Sequence, residues 1–403
     1  MIIAGAGAAG LAAAWSARRA GRDVMLVSTG AGATALGSGA VDDVPWEQRL
    51  RAARLLGDDS QARRLDAEVA AFVADLKLWD VPEERPVWIA TIAGRVRPAR
   101  GRDRAMLDLG PLAGRTVILP RADRAAWDAD AIAAALSADP VAAAKRITFR
   151  AVDAAVLRFD EERRIADGDL AARHDEEARR AWLVDRLRAA LAVNADAGAV
   201  LLGPWLGAAA PRAEALSQAL GVPVGEALAG AGSPAGMRFE AARDALLRSF
   251  EVQRIRGRVE EVRREGERLA VTISGEAEVA ADAVVLAIGG LAGGGVIYAP
   301  PEHGAGADLA PRGRVPFALS ARAPVVLSLG GTTRMEIVAS MHGPELDVTA
   351  WPTEGRPGTL ETVGIRCDGV RAAEAIYAAG DVVAGRPRTL LAAVAAGIAA
   401  GAA

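Results

Sequence analysis

The 403-residue sequence has one cysteine, Cys367, three histidines and two tyrosines, and aromatic residues make up only 4% of it. A single thiol excludes an internal disulfide. It also excludes an iron–sulfur cluster held by this chain alone, because such a cluster needs about four thiolates. The histidines, His174, His303 and His342, are far apart in sequence and read as surface or packing residues rather than a zinc site. No basic excess exists: 48 Lys and Arg against 51 Asp and Glu leave a net charge of −3, which argues against a nucleic-acid partner. Lysine itself is scarce, with only Lys77 and Lys145 among the cations. No uncharged stretch reads as a membrane span. Residues 1–17 lack the basic start of a signal peptide, and residues 283–301 and 389–403 are broken by Gly or Pro or are too short. A chain in the reducing cytoplasm, with no transmembrane segment and no metal site, is expected.

The sequence is rich in small apolar residues. It is 51% apolar and holds 44 glycines, as expected of helices packed closely on a sheet, and its length suits two domains. Residues 2–4 form a short apolar run, 11–20 read as a helix and 23–27 as a second strand, which is a βαβ opening. An insert follows, with a helical stretch over 48–78, strands near 87–96, 116–119 and 147–152, and a helix over 127–136. The charge-dense segment 160–188 reads as one solvated helix with ion pairs three and four residues apart. After residue 230 the pattern of the first segment returns. The domain expectation is 1–45, 231–297 and 351–403 for a discontinuous nucleotide-binding domain, and 46–230 with 298–350 for an inserted α/β domain.

Gly5-Ala6-Gly7-Ala8-Ala9-Gly10 lies between the first strand and the first helix. In that context the first glycine permits a tight turn, the second lets backbone approach a pyrophosphate, and the third allows close helix–strand packing. Ser28, with Thr29 beside it, stands where a ribose-binding acid is usual. Far downstream, Gly380-Asp381 follows the apolar strand 375–378 and precedes a helix from about Thr389. Asp381 is either a turn residue or the carboxylate that a split flavin domain offers to a ribityl chain. Between the two motifs, 284–290 reads as a strand ending in glycines beside the cofactor, with Ala287 and Gly289 among the contacts, and Val259 as a backbone partner for adenine. Thr34, Ala35, Ser38 and Gly39 form a small-residue loop, either merely flexible or able to turn N–H groups to phosphate or flavin.

With these elements in order, the sequence resembles FAD-dependent oxidoreductases related to the fumarate reductase flavoproteins. It most resembles the B-subunit family of anaerobic glycerol-3-phosphate dehydrogenases, through 28–42, 92–119 and 285–315 with Gly293-Gly294-Gly295. The resemblance implies a discontinuous Rossmann-like FAD-binding domain with an inserted α/β domain. It further implies oxidation of glycerol 3-phosphate or a similar small anionic substrate, with electrons passed to an acceptor. Partner subunits would carry the iron–sulfur clusters and could hold the chain peripherally at the inner membrane. Members of that family are usually assigned FMN and often depart from Gly-Asp; the Gly380-Asp381 kept here favours FAD, with FMN left open. The alternative is a non-catalytic flavin-binding electron-transfer or assembly subunit. Arg312 and Arg314 are candidates for an anion clamp. Arg388, with Arg386, either adds positive charge at the flavin or is a solvent-facing side chain. His303 and Tyr298 are both open as the proton-transfer group.

Overall fold

The computed structural model describes residues 1–30, 32–42, 65–275, 278–290, 292–295, 297–299, 320–322, 325–328, 337–338 and 364–403. The chain divides into two compact units, one made of Met1–Thr34 with Leu247–Ala403 and the other of Ala35–Leu246.

In the first unit a six-stranded sheet runs in the order Gln253–Arg256, Met25–Ser28, Ile2–Ala4, Val284–Leu286, Ile376–Ala378, Arg371–Ala373. The first five strands are parallel, and only the last pairs antiparallel. The central strand is three residues long and wholly buried, with Ile3 between Leu26 and Val285. Residues from sequence positions 2 to 378 thus meet in one sheet, as a discontinuous domain requires. A second sheet, Val279–Ala281, Arg268–Ile273 and Val259–Glu265 with Val326–Ser328 alongside, shares a core with the first: Val259, Val262 and Val271 pack in one cluster with Ile2, Val284 and Ile376.

Helix Ala8–Arg19 is buried on every side from Ala8 to Ala17, so it carries no polar face. Its alanines allow helix Leu390–Ala402 to approach closely. Gly397 lies against the Ala9 carbonyl and Gly401 against that of Ala13, leaving no room for a Cβ at either glycine. The first half of helix Ala8–Arg19 is therefore held against the second half of helix Leu390–Ala402.

The second unit centres on a parallel sheet in the order Val224–Glu226, Ala197–Leu202, Thr116–Pro120, Thr148–Val152. Trp88, Trp127, Trp205 and Phe149 fill its core, and Trp127 meets Trp205 edge-on with centroids 5.6 Å apart.

One expectation fails here. Residues 160–188 do not form a single solvated helix but a 3-10 turn Asp160–Arg163 and helices Asp167–Arg173 and Glu177–Val193. The reason is burial of charge: Glu162 is fully buried and binds Arg179 at 2.9 Å and Arg173 at 3.1 Å, and His174 is fully buried with Nδ1 2.9 Å from the Leu170 carbonyl. Helical charge spacing alone does not reveal which partners turn inward.

Candidate functional site

The site in the first unit begins where the central strand stops. Gly5 takes φ +108, and a Cβ there would collide with the Ala287 carbonyl oxygen, so only glycine fits. Its N–H donates to Val27 O at 2.8 Å, tying the turn to the neighbouring strand. Gly10 presses on the Gly5 carbonyl, which brings helix and strand together. Gly7 caps the helix in an extended conformation, and the first internal bond runs from Leu11 N–H to Gly7 O at 2.9 Å. The N–H groups of Ala9 and Gly10 therefore precede the helical ladder. Ala8 N–H is met by Thr34 Oγ1 at 3.1 Å. A Cβ on Gly7 would find only that same hydroxyl, at 3.3 Å, and would otherwise fill open space. This cradle fits a pyrophosphate: amide donors face an open approach at the positive end of a helix that has no acidic residue in its first turn.

The downstream motifs arrive at the same place. Ala379 N–H donates to Leu286 O at 3.1 Å, fixing the end of strand Ile376–Ala378 beside that of Val284–Leu286. Gly380 then turns with φ +79, and a Cβ on it would lie 2.9 Å from the Ala9 Cβ. Gly290 faces Asp381, where a Cβ would come within 2.9 Å of the Asp381 Cβ. Thus Gly380 meets Ala9, Gly290 meets Asp381 and Ala287 meets Gly5 and Gly10, although the chain separates the members of each pair by about ninety to several hundred positions.

Burial raises the Asp381 pKa above the ordinary carboxylate value, and the nearby positive charge of Arg388 opposes the rise. Arg386 is exposed and reaches the Gly369 carbonyl at 3.3 Å. Helix Leu390–Ala402 is capped by Thr389, whose hydroxyl accepts from Ala392 N–H at 3.4 Å, and its first turn has no acidic residue. Ser28 ends its strand half-buried, opposite Arg256, and Thr29 is exposed, so hydroxyls alone replace an acid at that strand end. Val259 is buried at the start of its strand.

Ala35, Ser38 and Gly39 belong to the second unit, where Gly39 takes φ +99 and accepts from Asp103 N–H at 2.7 Å. His303, Arg312 and Arg314 lie outside the described residues, as does the Tyr298 side chain.

The sequence reading missed a buried ion cluster in the second unit. Arg238 binds Asp103 at 2.9 Å and Glu226 at 2.7 Å, and all three side chains are within 1% of complete burial. Arg238 Nη1 also donates to Gly207 O at 2.7 Å, and Glu226 accepts from Leu206 N–H. Burial alone would lower the Arg238 pKa, but the two carboxylates outweigh it and raise it. Burial raises Glu226 against the pull of Arg238. A charged residue inside the buried run of strand Val224–Glu226 was the available signal.

A family model described as FAD binding domain matches residues 1–73, and one described as FAD-NAD(P)-binding matches residues 236–291. No curated protein matches the chain. Among solved structures, the Diels-Alderase of pyrroindomycin biosynthesis is 13% identical, with 98% of this chain and 62% of that one covered and a TM-score of 0.31. Putrescine oxidase is 14% identical over 72% of this chain and 57% of that one, with a TM-score of 0.23. An oxidoreductase from Agrobacterium tumefaciens is 18% identical over 54% of this chain and 93% of that one, also at 0.23. The chain thus spans about three fifths of the length of the first two, and no shared mechanism follows from scores this low. Among the described residues no helix is long and apolar enough to cross a membrane. The cofactor of this chain is FAD.

Proposed function

We propose that the chain is the flavoprotein of a glycerol-3-phosphate-type dehydrogenase, similar to the B-subunit family of the anaerobic enzyme. It would oxidise glycerol 3-phosphate or a similar small anionic alcohol and pass the electrons to an acceptor through partner subunits. The observation that supports a flavin site best is the convergence of the Gly5–Gly10 turn with Gly290, Gly380 and Asp381. FAD, when bound, supplies the hydride-accepting chemistry. The protein's part is to bind and orient. Ala9 and Gly10 N–H groups would take the pyrophosphate, and the Asp381 carboxylate would accept from a ribityl hydroxyl. The start of helix Leu390–Ala402, with Arg388 beside it, would place positive charge near the reduced ring. Ser28, Thr29 and Val259 are proposed for the adenosine end, and Thr34, Ala35, Ser38 and Gly39 for backbone contacts to the cofactor. Arg312 and Arg314 are proposed to hold the substrate's anionic group.

Mixing purified FAD-loaded protein anaerobically with sn-glycerol 3-phosphate tests this reading. Bleaching of the visible flavin absorbance by the chain alone is expected. Absence of bleaching alone, with bleaching restored by partner subunits, would favour the electron-transfer or assembly role instead.

A further inference from the structure

Strand Val224–Glu226 of the second unit runs through Gly230, Ala231, Gly232 and Ser233 into helix Pro234–Ser249. This is a second strand, glycine-spaced turn and helix, leaving the carboxyl end of a parallel sheet, which is where open α/β sheets take ligands. Pro234 opens the helix, a position where its missing N–H costs nothing.

Two polar groups at this turn have nothing to bond. Ser233 is only 9% exposed, and its hydroxyl is buried without a hydrogen-bond partner. A serine at this position ordinarily accepts from an N–H of the first turn. Here the Gly236 N–H turns instead to the Ser233 carbonyl at 3.0 Å, and the Ala235 N–H keeps no acceptor among the described residues although Ala235 is only 5% exposed. Burying an unmatched hydroxyl and an unmatched amide side by side is unfavourable unless something accepts from both. The nearby carboxylates do not fill that role, because Glu226 and Asp103 are both held by Arg238. The flank of the turn is exposed from Gly230 to Gly232, with nothing within 4 Å of a Cβ built on Gly232, while Ser233 to Gly236 are buried, so an anion would reach the hydroxyl from the Gly232 side. On the inner side the small-residue loop closes on the same turn, with Gly236 against the Ala35 carbonyl and Gly39 facing the Ala235 Cβ at 3.1 Å.

We propose that this turn binds an oxyanion, the phosphate of a small phosphorylated substrate, through the Ser233 hydroxyl, the Ala235 N–H and the positive end of helix Pro234–Ser249. Assigning the anion to a substrate rests on the function proposed above; the anion site itself does not. The other source of the same chemistry is the pyrophosphate of FAD.

The test is calorimetric titration of FAD-loaded protein with inorganic phosphate, sn-glycerol 3-phosphate and glycerol. Wild type should bind the two phosphates and not glycerol. Ser233→Ala should weaken both by about tenfold, the usual effect of losing a hydrogen bond to a charged group. Ser233→Asp places its own carboxylate at the helix start, so it should abolish phosphate binding without lowering the thermal midpoint. FAD content should be unchanged in both variants. No phosphate affinity in wild type, or phosphate binding in both variants equal to wild type, would overturn the site and leave only a buried water there. Loss of FAD from Ser233→Asp would give the turn to the cofactor and overturn the substrate assignment. Ser233-dependent phosphate binding without flavin bleaching by glycerol 3-phosphate would keep the anion site and remove the proposed function.

Discussion

Gly290 and Asp381 touch: a Cβ on the glycine would lie 2.9 Å from the Asp381 Cβ and 3.0 Å from the Asp381 carbonyl oxygen. That contact aligns the end of strand Val284–Leu286 with the turn after strand Ile376–Ala378, and it leaves the Asp381 carboxyl in a half-buried position beside the Ala9–Gly380 contact. If the carboxylate accepts from a ribityl hydroxyl, Asp381→Ala should weaken FAD binding by about ten- to a hundred-fold. Asp381→Asn keeps an acceptor oxygen and should lose less. FAD titration of the apo-variants, with circular dichroism as control, measures this.

The same residue makes a prediction about pH. Burial raises the folded-state pKa of Asp381 above its ordinary 3.8. The folded protein without cofactor therefore holds this proton more tightly than the unfolded chain does, so the contribution of Asp381 to stability falls as pH rises through that window. Asp381→Asn apo-protein should be more stable than wild type at neutral pH. The difference should shrink on acidification below the raised pKa, as followed by urea denaturation.

The three glycines of the turn should separate into structural and binding roles. Gly10→Ala pushes a methyl group into the Gly5 carbonyl and should cost about 1–3 kcal/mol or more. A Cβ at Gly7 meets only the Thr34 hydroxyl, so the thermal midpoint of Gly7→Val should stay near that of wild type while its FAD complement is lost. Equal loss of stability in both variants would contradict this division.

Arg238 is the residue whose removal should most damage the second unit. Arg238→Met leaves Asp103 and Glu226 buried without a counter-charge, and such uncompensated burial costs about 3–5 kcal/mol. Adding Asp103→Asn and Glu226→Gln to that variant should recover much of the loss. Chemical denaturation of the single and triple variants checks both expectations.

His174 should make stability sensitive to mild acid. Burial, with Arg179 close by, lowers its pKa from 6.5 to about 4, so the folded state holds it neutral. Its contribution is complete above pH 6.5 and is lost as pH falls toward 4, by a total on the order of 3 kcal/mol. His174→Asn should reduce the dependence of unfolding free energy on pH within that range, whatever its baseline stability.

The first unit was readable in sequence where local rules and cofactor geometry coincide. A strand, three spaced glycines and an alanine-rich helix can only be packed in one way, and Gly380-Asp381 follows an apolar strand that must find a parallel neighbour. Elsewhere the deciding interactions are non-local. Nothing near Glu162 in sequence shows that it will be enclosed by Arg173 and Arg179, and nothing near Arg238 indicates Asp103, 135 positions away. The loop around Ala35 and Gly39 that packs on Gly236 and Ala235 beside the Ser233 turn is likewise brought near only by the fold.

The most direct test of the flavin assignment is to purify the protein, record its visible spectrum, release what is bound with acid and identify it by chromatography. A yellow protein releasing FAD, close to one per chain, is the result expected of a turn built for a pyrophosphate and an Asp381 set for a ribityl chain. A colourless protein that takes up no added FAD, or one that releases FMN alone, would contradict the account.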